Sequence, residues 1–149
     1  MERASKNLVI DASVAAKWFI PEPDSMKALK LRNKHIEGSI TLMAPDLLIY
    51  EIANALSYHP DIEGEALKED LEALFMIDIE LIPPSSEYIA AVAETARLNS
   101  VTVYDSSYIT LAEATATNLI TADKKLYDKV TDNRKILMLD EMDTKWITS

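Results

Sequence analysis

The sequence predicts an α/β protein: a three-layer α/β/α sandwich with a mostly parallel sheet of four to five strands, residues 1–149 forming a single domain. Three observations predict it. Short apolar runs alternate with longer helical segments along the whole chain, the pattern of a parallel sheet with helical crossovers. The strand runs are apolar at consecutive positions, as strands covered on both faces are. A chain of 149 residues, 48% hydrophobic, is also long enough to bury a core without disulfides or a structural metal.

The elements follow in order. Leu8-Val9-Ile10 is a buried-strand run ending at Asp11, and Ser13 to Ile20 is a short helix stopped by Pro21 and Pro23. Asp24 caps a second helix with Met26, Leu29 and Ile36 on its apolar face. Ile40 to Met43 is a strand closed by Pro45, and Leu47 to Leu56 is a helix apolar nearly all round. Glu65 to Ile77 is amphipathic, with Leu67, Leu71, Leu74 and Phe75 forming its stripe. Ile79 to Ile82 is a strand ending at Pro83-Pro84. Ser85 or Ser86 then caps a helix from Glu87 to Leu98, and a further helix runs from about Ser106 to Thr115. Leu119 to Thr121 is a strand, Lys124 to Val130 a helix, and Ile136 to Leu139 the last strand. With two glycines in the chain, its turns fall to Pro, Asp, Asn and Ser.

Composition narrows the chemistry. The absence of cysteine excludes disulfides, zinc–thiolate sites, iron–sulfur clusters and thiol nucleophiles. The opening MERASKNLVIDAS has no signal-peptide core, and no stretch approaches the roughly 20 apolar residues that span a bilayer. The expectation is a cytoplasmic protein with no membrane partner. The formal charge of −10 opposes a nucleic-acid partner, which normally meets a basic footprint. The objection weakens where carboxylates serve to hold cations. Lys27, Lys30 and Lys34 form the best local basic face, and Lys17, Lys124 and Lys125 lie nearest the acidic residues in sequence. Trp18 and Phe19 suit a core or interface better than base stacking.

In parallel sheets, ligands bind at the carboxyl ends of strands. Asp11 and Asp123 follow two of the predicted strands, and Asp105 precedes a helix. Each alone is more readily read as a helix N-cap, worth about 1 kcal/mol. Glu51 is harder to explain away, because a carboxylate in so apolar a helix needs pairing or a metal. Asn54 is its candidate hydrogen-bond partner. Four carboxylates together repel unless a cation joins them. Hard oxygen ligands with no nearby histidine point to Mg²⁺ or Mn²⁺, and His35 and His59 are expected to be ordinary surface residues. Phosphoryl chemistry is the usual use of such a site.

The segments Val9–Glu22, Glu51–Leu56, Tyr104–Ala112 and Leu119–Leu126 resemble, in order, the four acidic motifs of the PIN-domain family, within it the VapC-type toxins. The likeness covers nearly the whole chain, with spacings of 40, 54 and 18 residues between the acids. It implies an Mg²⁺- or Mn²⁺-dependent endoribonuclease leaving 5′-phosphate and 3′-hydroxyl ends. Asp11, Glu51, Asp105 and Asp123 would be its metal-ligand set, and Ser13 would orient a ligand or water. Asp128 is the nearest candidate for a further acid, set against an exposed helix position. The implied partners are RNA, a small antitoxin that blocks the acidic pocket, and a second copy of the chain in a homodimer. Ser106 stands where VapC-type chains often have alanine. The competing readings are a PIN-domain nuclease of RNA processing or DNA repair, and a non-catalytic interaction module. A phosphatase using an aspartate pair two residues apart would need an aspartate where Ser13 stands.

Overall fold

The computed structural model describes residues 6–130 and 132–143. Its frame is a five-stranded sheet, parallel throughout, in the order β3-β2-β1-β4-β5. The strands are β1 (Lys6–Ile10), β2 (Ile40–Pro45), β3 (Glu80–Ile82), β4 (Asn118–Thr121) and β5 (Ile136–Met138). In the central strand, Leu8, Val9 and Ile10 are all fully buried. Successive strand side chains point to opposite faces, so both faces of the sheet are covered.

Among the described residues seven α-helices make the crossovers: α1 (Ala12–Ala15), α2 (Ser25–Glu37), α3 (Leu47–Ser57), α4 (Glu65–Ile77), α5 (Ser86–Asn99), α6 (Val103–Ala114) and α7 (Lys124–Lys129). The expected α/β order is therefore present, and α4 has its expected bounds. The first helix is shorter than expected: α1 tightens into a 3₁₀ turn, Ala16–Trp18. Trp18 is buried there, and its Nε1 donates to the Ala28 carbonyl at 2.8 Å, which makes it a core residue.

Four local expectations are corrected. Asp24 precedes α2 but has φ 68°, and its side chain caps nothing. The buried face of α2 is Ala28 and Leu31, whereas Met26 and Ile36 are 71% and 61% exposed. Ala28 lets the indole of Trp18 approach the helix closely, which turns that face inward. The α4 stripe holds at Leu74, but Phe75 lies outside it, exposed. Helix α6 starts at Val103 rather than near Ser106, because the Thr102 hydroxyl accepts from the Asp105 N–H at 3.0 Å and begins the helix earlier.

Turns work as a glycine-poor chain requires. Gly38 takes the left-handed position that ends α2, while Asp78 and Ser100 do the same for α4 and α5. His35 is a structural tie rather than a surface residue. Its Nδ1 accepts from the Leu42 N–H at 3.0 Å, so Nε2 carries the proton and faces the Ile77 and Asp78 carbonyls at 2.9 and 3.0 Å. One imidazole thus joins α2, β2 and the end of α4.

Candidate active site

Strand β1 lies between β2 and β4, and the chain leaves it for β2 on one side but returns to its other side only at β4. The crevice at such a reversal is where an open parallel sheet binds ligands. Asp11 leaves the end of β1 and Asp123 follows β4, and the register Ile10↔Ile120 sets Thr121 beside Asp11.

A closed set of hydrogen bonds results. Ser13 Oγ donates to Asp11 Oδ1 at 2.5 Å, and Thr121 Oγ1 donates to Oδ2, also at 2.5 Å. Ser13 Oγ accepts from the Ala122 N–H at 2.9 Å, and Thr121 Oγ1 accepts from the Asp123 N–H at 3.0 Å. Asp11 also caps α1 through the Ser13 and Val14 N–H groups, and Asp123 caps α7 through Leu126 at 3.1 Å. Both aspartates are therefore helix caps, and capping leaves them at the ends of β1 and β4. Asp105 caps nothing; it sits in the first turn of α6, capped by Thr102.

Glu51 projects from α3, whose buried face is Leu48, Ile52 and Leu56. That helix is one-sided rather than apolar all round, with Tyr50 76% exposed. Glu51 is half-buried, and its Oε1 accepts from the Tyr108 hydroxyl of α6. Asn54 is exposed, so Tyr108 holds the place expected of it.

The electrostatics bind these residues into one group. Burial raises the Asp11 carboxyl to about 6, opposed by the Ser13, Thr121 and Val14 bonds and aided by the charge of Asp123. Burial likewise raises Glu51; the Tyr108 bond opposes it, and Asp105 adds to it. Asp105 is raised by burial and then by Asp123, while Lys129 and the Thr102 bond pull it down. The four acids thus repel one another in an unbroken chain, and among the described residues none forms an ion pair with lysine or arginine.

The structure brings Asp11, Ser13, Glu51, Asp105 and Asp123 to one end of the sheet. Asp128 does not join them: exposed on α7, it pairs with Lys124 at 3.0 Å. The expected basic patches are largely committed elsewhere. Lys17 Nζ donates to the Pro23 carbonyl at 3.0 Å, Lys27 Nζ to that of Asp140 at 2.6 Å, and Lys34 pairs with Glu37 at 3.7 Å. Thr121 and Tyr108 went unnoticed in the sequence. The available signals were a hydroxyl two residues before Asp123 and a tyrosine one helical turn after Asp105.

The donor set suits a hard divalent cation: oxygen ligands only, held against mutual repulsion and, among the described residues, without an ion pair to lysine or arginine. Among the described residues, no three acidic or histidine side chains stand close enough to enclose an ion by themselves.

A family model described as "PIN domain" matches residues 8–131. The chain belongs to the PIN-domain family. Among curated proteins this PIN-domain chain is 33% identical over 128 residues to Ribonuclease VapC3 of Pyrobaculum aerophilum, covering 82% of this chain and 93% of that one. A crystal structure of another Pyrobaculum aerophilum protein shares the fold with TM-score 0.66 at 20% identity, over 97% of this chain and 96% of that one. A chain of a toxin–antitoxin complex from Klebsiella pneumoniae does so with TM-score 0.67 at 12% identity, over 91% and 99%.

Proposed function

We propose that this PIN domain is an Mg²⁺- or Mn²⁺-dependent endoribonuclease and the toxin of a toxin–antitoxin pair. One observation carries the catalytic reading: four carboxylates gathered at one end of the sheet, three of them raised by burial and, among the described residues, none in an ion pair with lysine or arginine. Folding tolerates such a cluster at a cost, and a cation recovers it. Likeness to a ribonuclease supports RNA as the substrate. Likeness to a chain of a toxin–antitoxin complex supports a protein partner, which on this reading is a small antitoxin blocking the acidic end. A homodimer in the cytoplasm completes the reading. Among the described residues no helix is long and apolar enough to cross a membrane.

Asp11, Glu51, Asp105 and Asp123 would hold the cation. Bound there, it would supply Lewis-acid stabilisation of the charge that develops on the phosphodiester and lower the pKa of an attacking water. The chain's own part is orientation. Ser13 and Thr121 fix both oxygens of Asp11, and the same two hydroxyls hold the Ala122 and Asp123 amides, so Asp11 and Asp123 keep one mutual placement. Asp105 is placed by the Thr102-capped start of α6.

The test is incubation of total RNA with wild type and Asp11→Asn, with and without Mg²⁺ or Mn²⁺, followed by mapping of the cleaved ends. Cation-dependent cleavage by wild type and its loss in a folded Asp11→Asn are expected. Undiminished activity in the variant overturns the assignment.

A further inference from the structure

Helix α6 brings a second polar group to the acids besides Asp105. Tyr108, one turn further on, is 2% exposed, and its hydroxyl donates to Glu51 Oε1 across 57 residues of sequence. The charges of Glu51, Asp11 and Asp105 all act on that hydroxyl, which therefore stands among three of the four carboxylates. Burial and these charges raise its pKa, so it stays a protonated donor wherever the acids are ionised.

The other acids have different supports. Asp11 is held at both oxygens by hydroxyls, and Asp123 caps α7. Glu51 lies mid-helix, where no cap bond is available, on a longer side chain with more torsions to fix. Among the described residues Tyr108 is its one hydrogen-bond donor, and Oε2 accepts no hydrogen bond. The ring of Tyr108 packs in the core while its hydroxyl reaches the cluster, so the fold's packing is transmitted to one carboxylate oxygen.

We propose that Tyr108 is the positioning residue for Glu51: its hydroxyl fixes Oε1, so that the carboxylate would be held ready for a divalent cation at the acidic cluster. This rests on the reading of the cluster as a divalent-cation site. Groups behind a ligand that orient it typically change metal affinity 10- to 100-fold when removed. Tyr108→Phe keeps the ring and deletes only the donor, which separates orientation from packing.

The full chain, wild type and Tyr108→Phe, is stripped with EDTA, dialysed and titrated with Mn²⁺ by calorimetry; thermal melts are recorded in EDTA. A Kd for Mn²⁺ weakened about 10-fold or more is expected, with a melting temperature in EDTA within a few degrees of wild type. In a Glu51→Gln background, Tyr108→Phe should weaken Mn²⁺ binding no further. A Kd within two-fold of wild type overturns the proposal, as does an equal loss in the Glu51→Gln background. Wild type that binds no Mn²⁺ overturns it together with the cation reading of the site, whereas binding that the substitution leaves unchanged overturns this proposal alone.

Discussion

Replacing Asp11 by asparagine should abolish cleavage and, without a cation, make the fold more stable. The carboxyl ionises near 3.8 in an unfolded chain and at about 6 in the native one. Between those values the native state keeps a proton that the unfolded state has released, so stability falls as pH rises through the window. The penalty is absent below about pH 4 and complete above about pH 6, where it amounts to about 3 kcal/mol. Asparagine never ionises and escapes it. The variant keeps an acceptor for Ser13 but presents an amide where Thr121 donates, a loss of about 1 kcal/mol or somewhat more. The net gain at pH 7.5 is about 1–2 kcal/mol, or a rise in melting temperature of roughly 3–6 °C. Melts followed by circular dichroism in EDTA between pH 4.5 and 8 measure it, and the gap between the proteins should close toward the acid end. Adding Mg²⁺ at pH 7.5 should raise wild type and leave the variant nearly unmoved, because only a state that binds the ion is stabilised by it. A variant less stable than wild type at every pH would refute the claim that the ionised carboxylate is held at a cost.

Thr121→Val removes the donor to Asp11 Oδ2 and the acceptor of the Asp123 N–H, and should lower cation-dependent cleavage about 10- to 100-fold with the fold retained; full activity in a folded variant would show that Ser13 alone orients Asp11. His35→Ala strips partners from the Leu42 N–H and two carbonyls, and should cost about 2–3 kcal/mol, read as a lower urea midpoint at unchanged slope.

What was legible in the sequence is what local spacing encodes. Leu8-Val9-Ile10-Asp11 names both a doubly covered strand and the acid at its end, and Glu51 stands out against its apolar neighbours. Which groups touch those acids was not legible, because contact is decided by pairing at long range. Thr121 meets Asp11 across 110 residues, through the parallel register of β1 and β4. Tyr108 reaches Glu51 only because α6 and α3 both pack against β2, and no periodicity announces that. Asn54 was the nearer candidate along the helix and proved exposed. The inward face of α2 misled for a similar reason. Helical spacing favoured the large residues Met26 and Ile36, whereas packing against Trp18 required a small one, Ala28.

The excess negative charge and the RNA reading meet at the same residues. Of the lysines nearest the acids in sequence, Lys17 is held by the Pro23 carbonyl and Lys124 by Asp128. Lys125 and Lys129 are exposed on α7, the helix that Asp123 caps, and the charge of Lys129 partly offsets the rise of the Asp105 pKa. The accessible positive charge near the acids therefore lies along α7 rather than on the lysine face of α2. Four carboxylates beside it would repel a phosphodiester as firmly as they repel one another. A divalent cation, on the proposed reading, would change both interactions at once, relieving the repulsion within the cluster and converting a surface that rejects phosphate into one that accepts it. On this reading the net charge of −10 is no obstacle to a nucleic-acid substrate, because the carboxylates at the strand ends would draw in the cation that the phosphate then meets.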